Sequence, residues 1–146
     1  MRKFMIAKRV IATTLLCLSM IGLASADLLV IVHPDNTNKI DVKFVKNLYL
    51  GKETRFDNGD DAEPLMLDDN SELSEIFLKE IVNQKPVQFK RLWSKSLFTG
   101  KGTPPKVLTS DQEMMQLVMS NPSMVGYIDS ESYTNEVRAV LRINIK

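Results

Sequence analysis

An α/β domain, with a mixed and mostly parallel sheet flanked by helices, is the fold class this sequence predicts, and three observations predict it. From residue 27 onward, segments of strand character alternate with segments whose apolar residues recur at helical spacing. Two apolar runs, 28–32 and 124–128, show no polar alternation, as in strands covered on both faces. Clusters of Gly, Pro, Asn and Asp separate the periodic stretches.

Residues 1–26 read as a secretory signal peptide. Arg2, Lys3, Lys8 and Arg9 precede an apolar run over 10–23, and Ala24-Ser25-Ala26 closes it with small residues. The run is shorter than the roughly 18 to 20 residues a spanning helix needs, so no stable membrane anchor is expected. The domain is then 27–146, and its expected location is the periplasm.

The strand at 28–32 ends in the loop His33-Pro34-Asp35-Asn36. From Asp41 the period changes: Val42, Val45, Leu48 and Tyr49 share a helical face, and Gly51 is placed to stop the helix. Residues 56–63 are polar enough for a surface loop, and 64–67 read as a second short strand. Asp68-Asp69-Asn70-Ser71 offers N-cap candidates ahead of Leu73, Ile76, Phe77 and Ile81, so a second helix begins close to Ser71. A third covers 87–98, with Phe89, Trp93 and Phe98 assigned to the core, and 99–105 breaks it as a loop. Ser110 and Glu113 form a capping box for a helix carrying Met114, Leu117 and Val118, which Asn121-Pro122 ends. After the strand at 124–128, the tail over 137–143 alternates Val137, Ala139, Leu141 and Ile143 with Arg138 and Arg142, as a strand wet on one face does.

Composition narrows function. Residues 27–146 carry 15 Lys plus Arg against 18 Asp plus Glu, a net charge of −3, so no nucleic-acid partner is expected. Cys17, the one cysteine, lies in the leader, which leaves the domain without a disulfide or a thiolate site. With one histidine, no nucleophile elbow and no metal-binding triad, the domain reads as non-enzymatic, without cofactor or metal. The carboxylate-dense stretch 57–61 lacks the alternating ligands and closing glutamate of a calcium loop.

Several pieces then fall into a familiar order: Phe44 to Lys52 (FVKNLYLGK), Glu63-Pro64-Leu65 leading to Ser71, Leu97 to Gly102 (LFTGKG), and Asn121 to Ile128 (NPSMVGYI). Together they resemble the phosphate-type substrate-binding proteins of ABC transporters. The resemblance implies a periplasmic-binding-protein-like lobe, an inorganic oxyanion such as phosphate as ligand, and an envelope transporter or sensor protein as partner. Such proteins close two lobes on the anion, and only one lobe's worth of chain is present. The domain is therefore an anion site open to water, half of a site completed by a partner, or a scaffold that kept the lobe and lost the ligand.

Six residues are candidates for ligand contact. Ser71, with Asn70 before it, stands where the family's Ser-Gly-Thr begins, at a helix N-terminus that favours anions. The sequence departs there: Glu72 and Leu73 replace the glycine and threonine, and Leu67 stands where the family has arginine. The alternative for this segment is a plain helix cap. Thr99 and Lys101 lie in a glycine-rich loop that either offers a hydroxyl, N–H groups and an ammonium to an anion or is an exposed turn. His33 and Asn36 follow the first strand, where open α/β sheets place ligand loops.

Overall fold

The computed structural model describes residues 26–146. The signal-peptide reading of 1–26 lies, apart from Ala26, outside the described residues. Five strands form one sheet in the order β3-β2-β4-β1-β5, where β1 is Asp27–Val32, β2 Glu63–Leu67, β3 Lys106–Leu108, β4 Met124–Asp129 and β5 Arg138–Asn144. β2 pairs in parallel with β3 and β4, whereas β1 pairs antiparallel with β4 and β5. The sheet is mixed as expected, and its four pairings divide evenly rather than favouring the parallel kind. β3 has no counterpart among the expected strands; three residues behind Pro104-Pro105 are too few to show a period.

The helices are α1 Val42–Tyr49, α2 Glu72–Phe77, α3 Pro86–Phe98 and α4 Asp111–Ser120. α2 runs directly into a π-helical turn, Leu78–Val82, which stops at Asn83 in the left-handed region. α4 packs against one face of the sheet: a Cβ built on Gly126 would strike Met114 and Val118. On the opposite face Tyr127 stacks on Phe77 at 3.9 Å between ring centroids, and Phe77 meets Tyr49 edge-on. The Trp93 indole N–H donates to the Tyr49 carbonyl at 3.1 Å, which ties α3 to the end of α1. β1, the run without polar alternation, is buried from Leu28 to Val32 between these layers.

Three local expectations need correcting. Phe98 is not core but 93% exposed. It lies five residues beyond Trp93, about 140° around the helix, so it leaves the stripe that buries Phe89 and Trp93. The tail strand does not keep a single alternation. β5 pairs Leu141 with Val30 and Ala139 with Ile31, so Val140 is an extra, bulged residue and Ala139 turns to solvent. At α4, Ser110 Oγ accepts the Glu113 N–H at 3.1 Å, but the Glu113 carboxylate takes the N–H and hydroxyl of Thr109 instead of returning to Ser110.

Candidate functional site

The three mutually parallel strands end together. Leu67 pairs with Leu108, the Asp68 N–H donates to the Leu108 carbonyl at 2.9 Å, and β4 runs alongside in the same direction. Their carboxyl edge is lined by the segments that leave it: Asp68 to Ser71 after β2, Thr109 to Asp111 after β3, and Asp129 to Ser130 after β4. Two helices, α2 and α4, start there with Ser71 and Ser110 as N-caps. This is the position where open α/β sheets hold ligands.

Ser71 Oγ accepts the Ser74 N–H at 3.3 Å, and the Ser71 N–H donates to the Asp68 carbonyl. The Asn70 N–H donates to Asp68 Oδ1 at 3.2 Å and its side chain is exposed. As the first two residues of the helix, Glu72 and Leu73 present N–H groups that no helical carbonyl can reach.

Below the edge lies a buried hydroxyl chain that the sequence reading did not single out. The Leu67 N–H donates to the Tyr127 hydroxyl at 3.1 Å, the Tyr127 hydroxyl donates to Ser74 Oγ at 3.2 Å, and Ser74 Oγ donates to the Leu67 carbonyl at 3.1 Å. The loop closes on itself and locks the start of α2 to the end of β2. Burial pushes the Tyr127 phenol up to about 12, with Asp111 and Asp68 adding to the effect. The neighbouring Tyr49 phenol, which donates to the Leu65 and Val125 carbonyls, is raised well above the usual phenol range by burial. The available signal was a serine in the buried stripe of α2 and a tyrosine in an otherwise aliphatic buried strand.

The electrostatics of the edge are acidic. Asp68 and Asp111 both act on Tyr127, and Asp111 Oδ2 accepts the Asp129 N–H at 3.0 Å. The nearby cations are already held: Lys90 by Asp69 at 2.5 Å and Arg142 by Asp27 at 3.3 Å. Acidic residues fill the first turns of both helices, Glu72 and Glu75 in α2 and Asp111 and Glu113 in α4, so each partly offsets its own dipole. The edge thus carries the first N–H groups of α2 and the Ser71 hydroxyl as donors, and the Asp68 and Asp111 carboxylates as acceptors. Among the described residues no group of three or more His, Asp or Glu could hold a metal ion.

The other four candidates lie at the opposite edge. β1 is antiparallel to β4, with Leu28 facing Asp129 and Val32 facing Val125, so His33 emerges about 13 Å along the strands from the carboxyl edge. His33 Nδ1 accepts the Asp35 N–H at 3.1 Å. Asn36 is buried: its Oδ1 accepts from the N–H and Nδ2 of Asn38, and its carbonyl accepts from Arg138. Thr99 and Lys101 sit at the end of α3. The Thr99 hydroxyl donates to the Lys95 carbonyl at 2.8 Å, and the N–H groups of Gly100 and Lys101 donate back to Leu97 and Ser96. With Gly100 at φ +69°, this is a Schellman stop, and its amides are occupied. The loop overhangs a cleft of about 490 Å³, lined on its far side by Glu53, Asp61 and Glu63. Of the six, only Asn70 and Ser71 lie at the carboxyl edge.

No protein-family model and no curated protein matches the chain. Solved structures do. One, from Clostridium perfringens, is assigned as a phosphate ABC transporter substrate-binding protein and was solved with bound phosphate; it matches at a TM-score of 0.63 and 21% identity, over 79% of this chain and 44% of that one. An ABC-type phosphate transport receptor from Vibrio cholerae matches at 0.63 and 18% identity, over 79% and 45%. PstS from Borrelia burgdorferi matches at 0.59 and 12% identity, over 79% and 46%. The fold is thus that of one substrate-binding-protein lobe, and this chain spans less than half the length of the proteins it matches.

Proposed function

We propose that this chain is an exported, phosphate-type substrate-binding-protein-like lobe that contacts an oxyanion at the carboxyl edge of its sheet and works with an ABC transporter or sensor protein. One observation carries the reading: 79% of the chain matches a structure assigned as a phosphate ABC transporter substrate-binding protein, solved with bound phosphate, and one described as an ABC-type phosphate transport receptor. The chemistry of the edge supports it. Ser71 Oγ and the first N–H groups of α2 supply donors, while Asp68 and Asp111 supply acceptors for a phosphate proton. Sulfate carries no proton at neutral pH and is expected to bind less well.

The test is a thermal-shift titration with phosphate, sulfate and chloride at constant ionic strength. A phosphate-specific rise of about 5 °C at ten times the dissociation constant is expected, lost in Ser71→Ala relative to that variant's own baseline. The same acidic edge favours a second reading, an envelope interaction protein without a small ligand. At about 5 Å and an effective dielectric near 20, each unpaired carboxylate costs a bare anion about 3 kcal/mol. A flat titration with every anion would select this second reading.

A further inference from the structure

From residue 81 to 110 the sequence holds six cations, Lys85, Lys90, Arg91, Lys95, Lys101 and Lys106, and no carboxylate, within a domain whose net charge is −3. In the fold this stretch is α3, its stop and β3, one side of the molecule at an open edge of the sheet. Lys90 is paired with Asp69, and Lys101 overhangs the acidic cleft. Among the described residues Arg91, Lys95 and Lys106 make no ion pair.

Large apolar side chains stand among these cations. Phe98 is 93% exposed, Leu97 60% and Val107 59%. Arg91, Lys95 and Phe98 occupy positions i, i+4 and i+7 of α3, one stripe of its outer face. Leu97 and Val107 line an apolar groove of about 290 Å³ with Phe89, Trp93 and Pro105. Positive charge selects an anionic partner. A protruding helix end that carries its apolar tip on the same stripe as its cations fits a bilayer surface better than the concave, polar face of an acidic protein: headgroups take the cations and the acyl boundary takes the tip.

We propose that α3 and β3 form a docking face for an anionic membrane, with Phe98 and Leu97 entering the interface and Arg91, Lys95 and Lys106 resting on headgroups. This rests on charge and exposure on the α3 side and is independent of the anion reading. The experiment mixes the full chain with phosphatidylcholine vesicles, with and without phosphatidylglycerol, whose acyl chains are brominated. Trp93, the one tryptophan, is buried on the inner side of α3, about 140° from Phe98, so the reporter is a tryptophan at the tip itself, introduced by Phe98→Trp; its quenching reports this face and not insertion by residues 1–25, and Trp93 supplies a constant background.

Quenching is expected with anionic vesicles and not with neutral ones. Arg91→Ala and Lys95→Ala should each weaken partitioning about fivefold, and Phe98→Ser, read by vesicle cosedimentation, should weaken it by more. All three side chains are exposed, so an unchanged melting temperature certifies that the variants fold. The proposal fails if the Phe98→Trp reporter stays unquenched, if neutral vesicles quench it equally, or if Phe98→Ser has no effect. Charge-dependent binding to polyglutamate without quenching by vesicles would overturn it in favour of an acidic protein.

Discussion

At the scale of single residues, the most consequential group is the Tyr127 hydroxyl, which accepts from Leu67 and donates to Ser74 in a buried ring of hydrogen bonds. Tyr127→Phe leaves the Leu67 N–H without an acceptor, an expected loss of about 1–3 kcal/mol in urea denaturation. A change below about 0.5 kcal/mol would mean the ring does not hold the edge together. The same residue predicts a pH dependence. The folded phenol is raised to about 12 from 10.0, so below pH 10 both states keep the proton and this group adds no pH dependence. Above pH 10 the unfolded chain releases the proton while the folded chain retains it, and stability falls until the folded phenol also ionises. Tyr127→Phe should flatten part of that alkaline decline; the remainder belongs to Tyr49, shifted in the same direction. The polar residues of this ring were visible in apolar stripes, but their pairing was not, because a hydroxyl's partners come from residues 53 and 60 positions away in sequence.

At the scale of elements, two helices end in the same device with different surroundings. Gly51 and Gly100 both take positive φ, +72° and +69°, and both follow a C-cap whose last carbonyls are closed by backbone N–H groups. A Cβ at Gly100 meets nothing within 4 Å, whereas one at Gly51 would lie 2.9 Å from the Trp93 ring. Gly100→Ala is expected to cost about 1 kcal/mol, the left-handed penalty alone, and Gly51→Ala about 2 kcal/mol or more. Equal losses in chemical denaturation would sink the claim that α1 and α3 are fitted against each other there. Both stops were readable as stops, since Gly after a periodic run is a local signal. The contact of Gly51 with Trp93 and the bulge at Val140 were not, because each depends on a neighbouring element's register.

At the scale of the whole molecule, the lobe presents two sheet edges of different character and a basic side at α3 and β3. The carboxyl edge gathers Ser71, Asn70 and the carboxylates of Asp68 and Asp111, while His33, Asn36, Thr99 and Lys101 lie at the amino edge. An open site on one lobe is expected to take one phosphate per chain with no change in mass by analytical ultracentrifugation. A doubling of mass on saturation would mean that a second copy supplies the missing wall. What the sequence determined by itself was local: alternation of strands and helices, most helix starts and stops, and the buried β1 and β4, because periodicity, caps and glycines act within a few residues. Only the tertiary structure decided that β1 runs against β4. Strand direction depends on pairing between residues about a hundred positions apart, and that one reversal sends the loop after β1 to the far edge from Ser71.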